Sequence, residues 1–140
     1  MTATAETVTT SPLDHGRLRG RLADGTPTLG TFVGTASAVT AEVCAAAGVD
    51  WVLLDLEHGA GGEEQVGTVV LAAASYRVPT IVRVESAARI RLGRVLDLGA
   101  AGVMLPAGRR RHGRARPGPA AGLTFSPRWR GSTYHRRQST

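Results

Sequence analysis

The stretch Trp51-Val52-Leu53-Leu54-Asp55 decides the fold. Four apolar residues in an unbroken run, closed by a carboxylate, suit a strand buried on both faces. Strands of that kind belong to parallel sheets covered by helices. Downstream, Leu56-Glu57-His58 leads into a Gly-rich turn, Gly59 to Gly62, and then into a helix from about Glu63 to Ser75. Pro79 to Val82 reads as the next strand, ended by Arg83. From Ala87 to Leu98, Ile90, Val95 and Leu98 alternate with Arg89, Arg91 and Arg94 in an amphipathic helical pattern. Gly99 stops that helix, and Ala101 to Leu105 forms a further strand before Pro106. Upstream, Thr28 to Val33 is the first strand. Ser37 caps a helix running to about Ala47 by accepting an orphan N–H, and Gly48 is its C-terminal stop. Residues 13–23, with Leu13, Leu18 and Leu22 among Arg17, Arg19 and Arg21, predict a short amphipathic helix that ends before Gly25.

The order β-α-β-α-β-α-β argues for the α/β class, with a parallel sheet joined by right-handed crossovers. Alternation alone fits a doubly wound sheet and a partial barrel equally. A complete (β/α)₈ barrel needs ~250 residues, and this chain has 140. No Gly-x-Gly-x-x-Gly follows a strand and no Walker-type loop is present, so a nucleotide site has little support.

Composition narrows the chemistry further. All 17 basic residues are arginines, so the chain has no lysine amine with which to form a Schiff base. The single Cys44 excludes an intramolecular disulfide and a Cys-rich zinc site. No run approaches the ~20 apolar residues that span a bilayer. Met1 to Thr10 has neither a basic n-region nor an apolar h-region, so neither a secretory signal nor a membrane association is expected, and the expected location is cytoplasmic. The formal charge of +6 is unevenly spread. Residues 1–106 hold all 11 acidic residues and 8 of the arginines, and residues 107–140 hold the other 9 arginines and no acid.

In parallel α/β proteins functional groups gather at the carboxyl ends of strands. Here the second strand ends in Asp55-Leu56-Glu57-His58 and the third in Arg83. A carboxylate close to an imidazole fixes its tautomer and raises its basicity. An arginine at the neighbouring strand end can hold a carboxylate or a developing enolate through its fork of donors. Together they suit proton transfer beside a 2-oxo acid, although Asp, Glu and His in a post-strand loop also serve as caps and solvated residues, and a strand-end arginine often just pairs with a nearby acid.

Four stretches carry a family resemblance. Leu29-Gly30-Thr31-Phe32 and Ala47-Gly48-Val49-Asp50-Trp51-Val52-Leu53-Leu54-Asp55-Leu56-Glu57-His58 come first, followed by Pro79-Thr80-Ile81-Val82-Arg83-Val84 and by the segment from Arg94 to Pro106. In this order they resemble the HpcH/HpaI aldolases, with their "D-W-(L/V)-(L/V)-(I/L)-D-x-E-H" strand, over roughly residues 12–106. The resemblance implies a TIM-barrel lyase, here only its N-terminal half, of about four parallel strands with outer helices. The implied reaction is cleavage of 4-hydroxy-2-oxo acids to pyruvate and an aldehyde, in a homo-oligomer. It gives His58 the acid/base step, Asp55 the orientation of His58, and Arg83 the 2-oxo acid. Glu57 lies in the motif without an assigned role, and Asp97 matches a family position that reads equally well as a structural acid. The family uses a divalent metal, Mg²⁺ or Mn²⁺, as Lewis acid. Its ligands lie on later strands, so no residue of this chain inherits a metal role and the chain alone is expected to be inactive.

The expected domains are a disordered N-terminus over 1–11, the truncated barrel over 12–106, and an irregular Arg-rich tail over 107–140. The first part of the tail (107–121) has no apolar period and no acid, and Leu123, Phe125 and Trp129 restore too little for a helix or strand. Arg, Gly, Pro and Ala are what G/C-rich codons supply in a wrong reading frame, so the tail reads as a frameshift product. Leu123-Thr124-Phe125-Ser126-Pro127 with Arg130-Gly131 faintly resembles a later family segment, as if the frame returned. The rival reading is a basic arm for nucleic acid or a partner chain, but aromatic interleaving is thin and no recognition module is evident, so nucleic acid is not expected. A half barrel would also leave two open strand edges that promote association.

Overall fold

In the computed structural model, residues 16–105 and the backbone of residues 123–125 are described. The expectations for residues 1–11, for Leu13 and for the rest of the tail, its reading frame included, lie outside the described residues. Helix α1 (Gly16–Ala23) is followed by β1 (Gly30–Val33), α2 (Ala38–Ala46), β2 (Trp51–Asp55) and a 3₁₀ turn (Glu63–Gln65). That turn leads into α3 (Val66–Ala74), after which come β3 (Thr80–Arg83), α4 (Arg89–Asp97), β4 (Gly102–Met104) and β5 (Leu123–Phe125).

Local chemistry sets these boundaries. The Ser37 hydroxyl accepts the Thr40 N–H at 3.4 Å and opens α2. Gly48 and Gly99 follow α2 and α4 at φ +92° and +101°, a left-handed conformation that side chains with a Cβ rarely adopt. The expected helix from Glu63 begins with one tighter turn before becoming α-helical.

Strands β1 to β4 pair parallel in chain order. A doubly wound sheet reverses its strand order and carries helices on both faces. Here α2, α3 and α4 all contribute to one cluster on one face, with Ala41 and Ala45, Val66, Val69, Val70 and Ala73, and Val95 packed on Val33, Val52, Leu54, Val82 and Val103. Consecutive order with helices on a single face is the winding of a barrel, and it settles the choice that alternation left open.

The other face, the concave one in a barrel, is built from the alternate residues of the same strands. Its amino-terminal half is apolar: Leu53 and Ile81 are buried beneath Leu18 of α1, with Trp51 against them, and Met104, level with Arg83, packs on the same cluster. Arg21 of α1 pairs with Asp50, just before β2, and donates to the Pro27 carbonyl at 2.8 Å. Asp50 also accepts the Leu29 N–H at 2.8 Å, so α1, the approach to β1 and the start of β2 are tied together. Gly30 faces Trp51 across the ladder, and a Cβ there would overlap the indole ring.

The fifth strand corrects the sequence reading. Leu123–Phe125, within the tail whose sequence predicts no helix or strand, pairs antiparallel with β4. Three residues are too few to show a period, and pairing across the sheet rather than local pattern makes them a strand. The β4 edge is thereby occupied, and β1 and β5 are the two edge strands of the sheet.

Candidate functional site

Asp55 and Arg83 are the last residues of β2 and β3 and are register partners, so both lie at the carboxyl end of the sheet on its concave face. The guanidinium grips the carboxylate with two bonds, Nε donating to Oδ1 at 2.8 Å and Nη2 to Oδ2 at 2.5 Å. Asp55 Oδ1 also accepts the backbone N–H groups of Glu57 at 3.0 Å and His58 at 3.2 Å. Asp55 therefore links β3 to the loop that follows its own strand. Its side chain is 8% exposed, and the hydrogen bonds from Arg83 hold its carboxyl at about 2, with the His58 and Glu57 N–H groups helping against the opposing effect of burial. The same hydrogen bond raises Arg83 above the ordinary arginine value.

Glu57 stands between Arg83 and His58. One oxygen lies 3.3 Å from Arg83 Nε and the other 3.8 Å from His58 Nε2. The His58 side chain is 73% exposed and open to solvent. Asp55 thus holds His58 by its backbone, while the imidazole leans toward Glu57. Asp97 is elsewhere. It is the last residue of α4, exposed, and α4 runs from the carboxyl end of β3 back to the amino end of β4, so the fold separates Asp97 from the other four.

Glycines keep the loop after β2 tight. A Cβ at Gly59 would overlap the Asp55 carbonyl, and the Ala60 N–H donates to the Gly34 carbonyl beyond β1 at 2.8 Å. Farther along, Arg91 donates to Glu63 at 2.7 Å and to Glu85 at 3.3 Å, and Glu63 also meets Arg94. This network, which single-residue reading did not foresee, joins the loops after β2 and β3. Phe32 was also missed as a site residue. Its half-exposed ring lies 5.5 Å from Arg83 Cζ, in cation–π contact. The signal was available, since alternation along β1 puts Phe32 on the face that carries Asp55 and Arg83. An open groove of about 550 Å³ between α3 and α4, lined by Glu63, Leu71, Arg94 and Leu98, lies on the helical side and shares none of these groups.

The described residues of the site do not fit a metal. Among the described residues no three of His, Cys, Asp and Glu converge, and both Asp55 oxygens are committed to Arg83.

Residues 28–110 match the family described as HpcH/HpaI aldolase/citrate lyase. The chain belongs to this family. Among its HpcH/HpaI relatives, a 4-hydroxy-2-oxo-heptane-1,7-dioate aldolase of Salmonella dublin is 35% identical over 82 residues, covering 59% of this chain and 31% of the relative. A hydroxypyruvate/pyruvate aldolase of Paraburkholderia phytofirmans is 36% identical over 91 residues, covering 64% and 35%. An HpcH/HpaI aldolase structure from Desulfitobacterium hafniense superposes with a TM-score of 0.59 at 29% identity, covering 65% of this chain and 36% of that one. The citrate synthase SbnG gives 0.57 at 33% identity, covering 64% and 36%. The chain thus spans about a third of the length of the relatives it matches. No helix among the described residues is long and apolar enough to cross a membrane.

Proposed function

We propose that residues 12–106 are the 2-oxo-acid-handling part of a carbon–carbon lyase that cleaves 4-hydroxy-2-oxo acids to pyruvate and an aldehyde. The observation that carries this reading is the Asp55–Arg83 pair at the carboxyl ends of adjacent strands, with Glu57 and His58 on the loop it anchors. In this reading Arg83 binds the 2-oxo acid, and His58, whose side chain is 73% exposed, moves the proton. Asp55 is a positioning residue that fixes both. The family's divalent metal, Mg²⁺ or Mn²⁺, would supply the electron sink for the enolate. The described residues do not fit such an ion.

The 140 residues alone should therefore turn over little or no substrate. Among the described residues no metal-binding cluster offers an electron sink, and the chain has no lysine for the Schiff-base route. We further place the protein in the cytoplasm and expect it to work as a homo-oligomer. The test is a pyruvate-release assay with a 4-hydroxy-2-oxo acid and added Mg²⁺ or Mn²⁺. Background turnover by the chain, restored when the missing part of a relative is supplied and lost again in His58→Ala, is the expected result. Metal-dependent turnover by the chain alone would overturn the inactivity, and restoration that survives His58→Ala would overturn the site.

A further inference from the structure

β4 is the last of the four parallel strands, and the outer edge of such a strand carries backbone groups at which another strand can add. That edge is taken along its whole length. Gly102 lies opposite Phe125, Val103 opposite Thr124, and Met104 opposite Leu123. The polarity is informative, because continuing the barrel winding would bring a parallel strand to this position, whereas β5 runs antiparallel. The sequence around β4 has no other protection. Ala101-Gly102-Val103-Met104-Leu105 contains no charge and no proline until Pro106, and uncharged apolar edges pair readily with copies of themselves. Two β4 edges related by a two-fold axis would meet antiparallel, the same polarity that β5 adopts.

We propose that Leu123–Phe125 is an intramolecular edge cap that keeps β4 of one copy from pairing with β4 of a second copy. The ladder supplies to β4 the hydrogen bonds that a second copy would otherwise supply, and it does so at the higher effective concentration of a tethered segment. The inference does not depend on the lyase reading, since it concerns the sheet edge and not the groups around Arg83.

The test uses the full chain with Leu123→Pro and Thr124→Pro made separately. Along an antiparallel ladder successive N–H groups point alternately toward and away from the partner. One of the two prolines therefore removes a ladder bond, and the other controls for proline itself. In the ladder-breaking variant, amide exchange over residues 102–104 should rise about fivefold or more while α3 stays protected. Sedimentation equilibrium should then show a higher mass than that of the unaltered chain. Exchange at residues 102–104 that neither proline alters would overturn the cap. Faster exchange with no change in mass would overturn its role in separating copies.

Discussion

Arg83 closes on Asp55 with two hydrogen bonds from the end of the neighbouring strand, and the same carboxylate holds the first turns of the loop that carries His58. One side chain thereby joins two strands and a loop. A carboxyl held at about 2 in the folded chain and near its ordinary value when unfolded contributes stability that is fully present above pH 4. That contribution, about 2 kcal/mol, is lost as the pH falls through the folded value. Urea unfolding between pH 6 and pH 2 should show the decline, and Asp55→Asn should flatten it.

At neutral pH, Asp55→Asn should lower stability by about 2–3 kcal/mol, because it leaves a largely enclosed guanidinium with a weaker acceptor. His58→Ala should change stability by less than about 0.5 kcal/mol, since the imidazole is 73% exposed. Denaturant midpoints of the two variants, measured side by side, separate a group that holds the site together from one free to act in it. Equal losses would contradict this division of labour.

Thr80 offers the opposite sign. It is 1% exposed at the start of β3, and among the described residues its hydroxyl meets no hydrogen-bond partner. Thr80→Val keeps the shape and removes a stranded polar group, so it should raise stability by about 1 kcal/mol in thermal or urea unfolding.

Gly30→Ala should be disruptive out of proportion to its size. The added methyl would overlap the Trp51 ring, whose Nε1 is held 3.2 Å from the Thr28 hydroxyl. Displacing that ring should cost about 1–3 kcal/mol and shift the tryptophan emission to longer wavelength.

Much of the fold could be read from local sequence because its signals are local. The apolar run at Trp51, the stops at Gly48 and Gly99 and the Ser37 cap each act within one turn or strand, and each appears at the expected place. The choice between a barrel and a doubly wound sheet was not readable, because it depends on which face the helices cover. β5 was not readable for the same reason, since its pairing partner lies about 20 residues back along the chain and crosses the sheet edge. At the site, residue types and strand ends pointed to Asp55, His58 and Arg83, but not to how they are joined. That Asp55 would spend its oxygens on Arg83, leaving Glu57 beside the imidazole, depends on side-chain geometry that spacing does not encode.

Leu18 of α1, described above as cover for Leu53 and Ile81, also acts as a dielectric floor. Below the charged end of the sheet lies hydrocarbon, and above it lies water. Field lines from Arg83, Asp55 and Glu57 are poorly screened on the hydrocarbon side and are directed toward the open mouth. A ligand approaching from solvent meets the combined field of Arg83, Asp55 and Glu57 from that side, so the helix at the amino end sets the direction from which the carboxyl end is felt.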